Sequence, residues 1–361
     1  MAAAILSVAT ALPAHRLDAA DALAHLRRFF PQLEKLEEAD ATLGTRYTCE
    51  PVDRLLAPRG LTDLREAYLR HAGRLALASA RKAMERAGVG GRDIDLVITV
   101  SCTGYLVPSL DVYMAAELEL RPDVLRLPIT ELGCSAGAAA VAAAHRHLAG
   151  YPDDRVLVVA VEVPSLSFHS SDRSVDNLTA CLVFGDGAGA AVMGRPDPGT
   201  DHLEVVRAAS YLIPGTAGVL GFDLRDSGFH VVLDRRLPRI LAQELRPVVD
   251  RFLDAGELGA PAFYAVHAAG PRIFGAVESA LALPSGALDV SRQVFAETGN
   301  TSSAAIFFTL EKLLFRPAAR REEGLGIGIG PGVTLELIHL ARVPSAGRLQ
   351  NVAGSLFPQE V

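Results

Sequence analysis

Residues 131–140 read Glu-Leu-Gly-Cys-Ser-Ala-Gly-Ala-Ala-Ala, and small side chains continue almost unbroken to Leu148. Alanine favours helix, but a helix of Ala, Gly and Ser carries no apolar stripe broad enough to fasten it to a surface. Such a helix fits where other layers close on it from both sides, so the sequence predicts a central helix over Cys134–Leu148. Cys134 then stands at the helix N-terminus, where unpaired amides and the helix dipole favour a negative thiolate. That placement predicts a lowered thiol pKa and a cysteine fit for covalent catalysis. Taken alone, the same residue also reads as a buried, inert cysteine.

The rest of the composition narrows the partners. The chain has 361 residues, 50% of them hydrophobic, which suffices for two domains or one of double size. Net charge is -7 with the basic residues scattered, so no basic stripe for nucleic acid and no polybasic membrane anchor is present. Small molecules or other protein chains are the expected partners. Cys49, Cys102, Cys134 and Cys181 lie far apart with no C-x-x-C spacing, which argues against a disulfide framework and a metal site and suits a reducing cytoplasm. The apolar start, Met1–Pro13, lacks a basic flank and a cleavage pattern, and Ala4–Thr10 reads as a first strand. No apolar stretch reaches the length of a membrane span.

Along the chain, helical and extended patterns alternate. Arg74–Ala87 is an amphipathic helix, and Asp95–Ser101 and Arg155–Glu162 are buried strands. Ala188–Met193 is a further strand after the turn Phe184-Gly185-Asp186-Gly187. The second half repeats the grammar: helix Leu237–Ala255, strand Ala262–His267, helix Ser303–Leu314 and a closing strand Gly332–Leu340. Strands alternating with helices imply layered α/β sheets with helices on their faces. Gly299-Asn300-Thr301-Ser302-Ser303 opens a second small-residue helix, the counterpart of the one at Cys134. Two similar halves, divided in the turn Arg195–Thr200, would bring Cys134 and Asn300 to a shared pocket.

A nucleophilic cysteine needs a base or cation beside it, and an enolate formed on a thioester needs hydrogen-bond donors. His267 ends an apolar strand and runs into Ala268-Ala269-Gly270-Pro271, which would present its ring at a sheet edge. By themselves His267 also reads as a structural histidine and Asn300 as a helix N-cap.

Together these residues resemble the thiolase-fold condensing enzymes, and within them the type III polyketide synthases of the chalcone synthase-like family. The resemblance runs from about Ile5 to Leu340. Cys134 in L-G-C-S-A-G matches the acyl-carrying cysteine, His267 in H-A-A-G-P the catalytic histidine, and Asn300 in G-N-T-S-S-A the catalytic asparagine. Phe184 in F-G-D-G-A matches a gatekeeper phenylalanine between CoA tunnel and cavity, and Phe229 in G-F-H-V-V-L resembles a second. Gly328-Ile329-Gly330-Pro331-Gly332 matches a loop that shapes the active site, with Ile in place of Phe. F-G-D-G-A and G-N-T-S also occur in ketoacyl-carrier-protein synthases of the initiating class. The run after His267, together with Pro331, separates this chain from them.

The resemblance implies a five-layered αβαβα fold of two duplicated halves, residues 1–196 with the nucleophile and 197–361 with His267 and Asn300. It implies loading of an acyl-CoA starter on Cys134, repeated decarboxylative condensation with malonyl-CoA, no metal or redox cofactor, and a homodimer. Arg46 in G-T-R-Y matches a CoA-binding arginine, although Leu43 stands where a lysine is usual; Arg272 could substitute. Cys102, Glu162 and Ser302 match a Thr-Glu-Ser network that favours aldol closure. A thiol donates poorly beside a hydroxyl, so pyrone formation gains weight. Small residues Ala136, Gly137, Ser165 and Ser167 leave room for a fatty acyl starter and alkylpyrone or alkylresorcinol products. The stretch Ser101–Tyr105 with Pro108-Ser109-Leu110 also resembles tetrahydroxynaphthalene synthases, which use malonyl-CoA only.

Overall fold

The computed structural model describes residues 3–30, 44–256 and 259–345. In chain order the strands are β1 (Ala3–Ala11), β2 (His15–Leu17), β3 (Arg46–Thr48), β4 (Leu96–Val100), β5 (Leu125–Ile129), β6 (Val156–Glu162) and β7 (Gly187–Gly194). They continue with β8 (His202–Leu212), β9 (Leu220–Arg225), β10 (Gly228–Leu233), β11 (Phe263–Val266), β12 (Glu322–Gly330) and β13 (Thr334–Val343). The helices are α1 (Ala19–Phe29), α2 (Val52–Leu55), α3 (Leu61–Ala87), α4 (Leu110–Ala115), α5 (Ala136–Gly150), α6 (Val175–Val183), α7 (Leu237–Asp254), α8 (Pro271–Leu281), α9 (Asp289–Thr298) and α10 (Ala305–Phe315).

Continuous β-branched and aliphatic runs, such as Val156–Val161, are buried on both faces, as expected of strands roofed by other layers on each side. In the first half β5, β4 and β6 run parallel, and β6 pairs antiparallel with β7, which pairs with β1. In the second half β11 runs parallel to β12, which pairs antiparallel with β13, and β13 with β8. The two sets join only where Ala3–Ile5 meets Leu203–Val205, giving one nine-stranded sheet in the order β11-β12-β13-β8-β1-β7-β6-β4-β5.

Between the two sets lie α5 and α10, which touch each other and strands of both halves. Helix α3 covers the first set from outside, using Ala67, Ala72, Ala76, Ala80 and Ala83 for close approach, and stops at Gly88, whose φ of 66° suits glycine. Helices α7 and α8 pack together, with α7 against β13. The order helix, sheet, helices, sheet, helix is the layering expected for a small-residue central helix. Gly137 of α5 explains why these residues are small: a Cβ there would sit 2.1 Å from the Ser303 carbonyl oxygen, so the heads of the two central helices could not meet.

Several elements differ from expectation. The central helix starts at Ala136, and Cys134 lies in a 3-10 turn, Gly133–Ser135, directly before it. The second central helix is likewise preceded by a 3-10 turn, Ser302–Ala304. Helix α3 extends thirteen residues further toward the N-terminus than the pattern over Arg74–Ala87, since Arg and Glu interrupt its first turns without breaking the helix. The closing strand begins at Thr334, because Gly332 at φ 103° belongs to the turn from β12.

Candidate active site

Of the three residues expected to be catalytic, Cys134 and Asn300 are joined through Ser302. Cys134 Sγ lies 3.2 Å from Ser302 Oγ. The Ser302 amide donates to Asn300 Oδ1 at 2.8 Å, leaving the Asn300 NH₂ as the free donor end of that amide. Ser302 has φ 50°, a left-handed conformation costly for a side-chain-bearing residue, and the Asn300 cap helps to hold it there. Asn300 is itself clamped beside Phe184: its amide donates to the Val183 carbonyl at 3.0 Å, and Gly185 donates to the Asn300 carbonyl at 3.1 Å.

His267 emerges from β11 fully inside the protein. Its amide donates to the Ile327 carbonyl at 3.1 Å, and the Ile329 amide donates to its Nδ1 at 3.3 Å. With Nδ1 accepting, the proton of the neutral ring sits on Nε2. Burial lowers the His267 pKa to about 4, so the ring is neutral near pH 7. The same strand, β12, ends against the nucleophile turn: a Cβ on Gly330 would sit 2.3 Å from Ser135 Oγ, and one on Gly133 2.5 Å from Pro331 Cδ. Gly133 adopts φ 55° as well. Gly330 and Pro331 therefore fix where the turn bearing Cys134 lies relative to the strand that orients His267.

The thiol itself departs from expectation. Burial raises the Cys134 pKa to about 11, with the Ser302 hydroxyl pulling it down and the nearby Glu162 pushing it up. In the 3-10 turn the helix amides do not offset the loss of water.

Glu162, wholly buried at the end of β6, organises the neighbouring network. It accepts from Thr103 Oγ1 at 2.7 Å, Ser101 Oγ at 3.3 Å, the Cys102 and Thr103 amides, and Ser303 Oγ. Burial raises its pKa despite those donors. Cys102 Sγ donates to Glu162 at 3.4 Å and lies 3.6 Å from Ser302 Oγ, so Cys102, Glu162 and Ser302 do form one cluster, next to Cys134. Burial and the Glu162 charge push the Cys102 thiol well up. Thr103 and Ser303 were missed in the sequence, though each adjoins a residue singled out.

A cavity of ≈ 400 Å³ lies beside this network, bordered by Leu61, Leu64, Arg65, Tyr68, Thr103, Gly104, Tyr105, Leu166, Ser167, His169, Leu224, Gly228 and Phe229. Thr103 ties it to the Glu162 cluster, and its walls are mostly apolar. Ser167 and Phe229 border it as expected of cavity residues, whereas Ala136, Gly137 and Ser165 do not. Ser165 instead holds Asp186, whose carboxylate accepts from the Ser165 amide at 3.0 Å, its hydroxyl at 2.5 Å and the Cys49 amide at 2.6 Å. Buried, with its pKa raised to about 6, Asp186 ties the turn after Phe184 to two other segments. A larger cleft of ≈ 530 Å³, bordered by Tyr47, Glu297, Lys312 and Phe315 among others, contains none of the site residues.

Phe184 does not share the cavity with Phe229; it borders a separate small pocket with Arg46 and Cys181. Arg46 is 3% exposed, donates to the carbonyls of Thr45, Leu182 and Phe295, and lies over the Phe295 ring at 4.6 Å. Burial lowers its pKa to about 10. Two of its three guanidinium nitrogens are thus engaged by backbone carbonyls, in place of the exposed setting expected of a CoA-phosphate ligand, while Nη2 has no hydrogen-bond partner among the described residues; Leu43 lies outside the described residues. Arg272 is exposed in the first turn of α8, five residues beyond His267.

A layered α/β fold with a cysteine at the head of one central helix, an asparagine at the head of the other, and a buried histidine held by β12, the strand that ends against the cysteine turn, is the arrangement of a thiolase-fold condensing enzyme. The N-terminal domain of chalcone and stilbene synthases matches residues 57–198, and their C-terminal domain residues 204–344. The chain is 36% identical over 296 residues to a 1,3,6,8-tetrahydroxynaphthalene synthase of Streptomyces griseus, covering 81% of this chain and 79% of that one. It is 30% identical over 333 residues to a phloroglucinol synthase of Pseudomonas fluorescens, covering 90% and 95%. The crystal structure of the tetrahydroxynaphthalene synthase from Streptomyces coelicolor A3(2), a bacterial type III polyketide synthase, superposes with a TM-score of 0.88 at 33% identity, covering 95% of this chain and all of that one. The chain belongs to the chalcone and stilbene synthase family of type III polyketide synthases, condensing acyltransferases that use CoA thioesters.

Proposed function

We propose that the protein condenses an apolar acyl-CoA starter, of fatty acyl type, with several malonyl units and releases a pyrone or resorcinol-type product. The observation that carries this reading is the largely apolar ≈ 400 Å³ cavity joined through Thr103 to the cluster around Cys134. An apolar chain entering it gains about 0.8 kcal/mol per buried methylene, which favours an alkyl starter over a short polar one.

In this account Cys134 attacks the starter thioester while His267 Nε2–H donates to the thioester oxygen, and the thiol proton passes to the departing sulfur, so that CoA leaves as the thiol. Malonyl-CoA then loses carbon dioxide, and the electron pair moves onto the thioester oxygen, which receives hydrogen bonds from His267 Nε2 and the Asn300 NH₂. Donors fixed in advance in a dry site each contribute on the order of a hundredfold in rate. The enolate carbon attacks the Cys134 acyl carbon and expels the Cys134 thiolate, leaving the lengthened chain on CoA; that sulfur then attacks the new thioester, CoA departs, and the chain is back on Cys134. No metal or redox cofactor takes part, and CoA is the carrier. Cys102 in the network with Glu162 and Ser302 donates weakly, which favours lactone closure.

A second reading is a tetrahydroxynaphthalene synthase that uses malonyl-CoA only. The Cys102–Glu162–Ser302 cluster and the similarity to the Streptomyces enzymes favour it. Purified protein offered malonyl-CoA alone, then with starters from acetyl- to palmitoyl-CoA, separates the two by mass spectrometry. Alkylpyrones that require a long starter support the first reading; an aromatic pentaketide from malonyl-CoA alone establishes the second. Absence of product from free CoA esters returns the carrier-protein-dependent ketoacyl synthase reaction.

We also propose a homodimer through the face bearing Tyr105, Val107, Tyr113 and the edge strand β5 with Leu125 and Leu127. Each of these large apolar side chains is exposed, and β5 is the edge of the sheet; exposed apolar surface of this kind is characteristic of an interface.

A further inference from the structure

The hairpin β9–β10 stands apart from the nine-stranded sheet yet supplies one wall of the cavity through Leu224, Gly228 and Phe229. A two-stranded hairpin is marginal by itself, so its position depends on what grips it. The grip is a cluster of polar side chains on the segment between β6 and α6. His169 Nε2 donates to the Phe229 carbonyl at 3.0 Å, and the His169 ring stacks flat on His230 of β10, with centroids 4.1 Å apart and planes inclined by 2°. His230 is held at both ring nitrogens, Nδ1 by Asp172 Oδ2 at 3.0 Å and Nε2 by Ser227 Oγ at 2.7 Å. Asp176 accepts from the Leu233 amide at 2.9 Å.

The gripping segment is rigid in its turn. Asn177 Nδ2 donates to the His169 and Asp172 carbonyls, both at 2.8 Å. On the far side Gly228, at φ 117°, lies between His169 Cε1 and the side chains of Leu61 and Leu64 on α3. His169 thus touches the hairpin twice and itself borders the cavity, while Phe229 reports its position to whatever the cavity holds.

We propose that His169 is a positioning residue that sets which acyl lengths the cavity accepts, by fixing the Phe229 wall through the carbonyl bond and the stack on His230. The proposal rests on the reading that this cavity holds the acyl chain. Loss of the donor leaves the Phe229 carbonyl unpaired and lets the wall shift, and a pocket whose wall moves discriminates less between chains differing by a few methylenes.

The test measures kcat and KM for acetyl-, hexanoyl-, octanoyl-, lauroyl- and palmitoyl-CoA, with product ratios, for wild type, His169→Leu, His169→Gln and Leu224→Trp. His169→Leu removes the donor and the stack while keeping an apolar surface. It is expected to flatten the ratio of kcat/KM between the best and worst accepted starters by about fivefold, mainly through KM. His169→Gln, which returns an N–H near the position of Nε2, is expected to recover much of that ratio. His169→Phe keeps a ring stacked on His230 but drops the donor to the Phe229 carbonyl; it is expected to move the ratio in the same direction, and stands in should His169→Leu fail to fold. Wild-type length dependence and product ratios in His169→Leu, or in its stand-in, overturn the proposal. Leu224→Trp narrows the cavity independently of the clasp: a raised KM for long starters there, with His169→Leu unchanged, leaves the cavity reading standing and this proposal refuted. An unchanged KM in Leu224→Trp removes the cavity reading and the proposal with it.

Discussion

Cys134 rests as a thiol, not as half of an ion pair. With its pKa raised to about 11 and that of His267 lowered to about 4, both groups are uncharged near neutrality. Iodoacetamide should therefore label Cys134 slowly at pH 7 and progressively faster toward pH 10, read by peptide mass spectrometry; rapid labelling already complete at pH 6 would contradict the resting state described. His267 also links pH to stability. Its folded pKa is depressed, so the unfolded chain takes up the proton first, at about 6.5. The contribution is whole above that pH and is lost as pH falls toward 4. The shift corresponds to about 3 kcal/mol. Denaturant midpoints at pH 7.5 and 4.5 should fall further apart for wild type than for His267→Gln, and equal gaps would deny the burial effect. At Cys102 a hydroxyl would donate more strongly to Glu162, so Cys102→Thr should shift product ratios from lactone toward carbocyclic closure, measured by chromatography against wild type.

At the scale of elements, the site depends on how closely β12 and the two 3-10 turns approach. Gly133→Ala meets both a positive φ and the Pro331 ring, so it should lower kcat/KM on the order of a hundredfold while costing about 1–3 kcal/mol in stability. Activity within twofold of wild type would show that the turn tolerates displacement. The same elements show what could be read beforehand. The central helix, β6 and β7 were legible because their burial is uniform and their composition extreme. Cys134 and Asn300 were placed correctly at the heads of paired helices, but the 3-10 turns Gly133–Ser135 and Ser302–Ala304 that precede those helices were not foreseen, since local hydrogen-bond pattern leaves little trace in composition. Strand β8 escaped notice because its later residues do not alternate cleanly between buried and exposed. The hairpin β9–β10 escaped because much of β9 faces outward. Arg46 looked like a surface cation; only the tertiary fold puts carbonyls of Leu182 and Phe295 around its guanidinium. The same limit applies to the thiol pKa, which burial decides and sequence does not record.

For the whole molecule, the two halves meet along a three-residue strand junction and a shared pair of central helices, so the site forms only when both are folded. The exposed apolar face beside β5 should bury itself against a second copy. Light scattering should give a dimer for wild type and a monomer for Leu127→Arg, and a monomeric wild type would refute that assembly. The proposed condensation depends above all on Cys134 carrying the growing chain. Intact-mass spectrometry of the protein mixed with octanoyl-CoA, without malonyl-CoA, should show one added octanoyl group that maps to Cys134 and is absent in Cys134→Ala. An unmodified protein that still turns over, or an acyl group mapped to another residue, would contradict it.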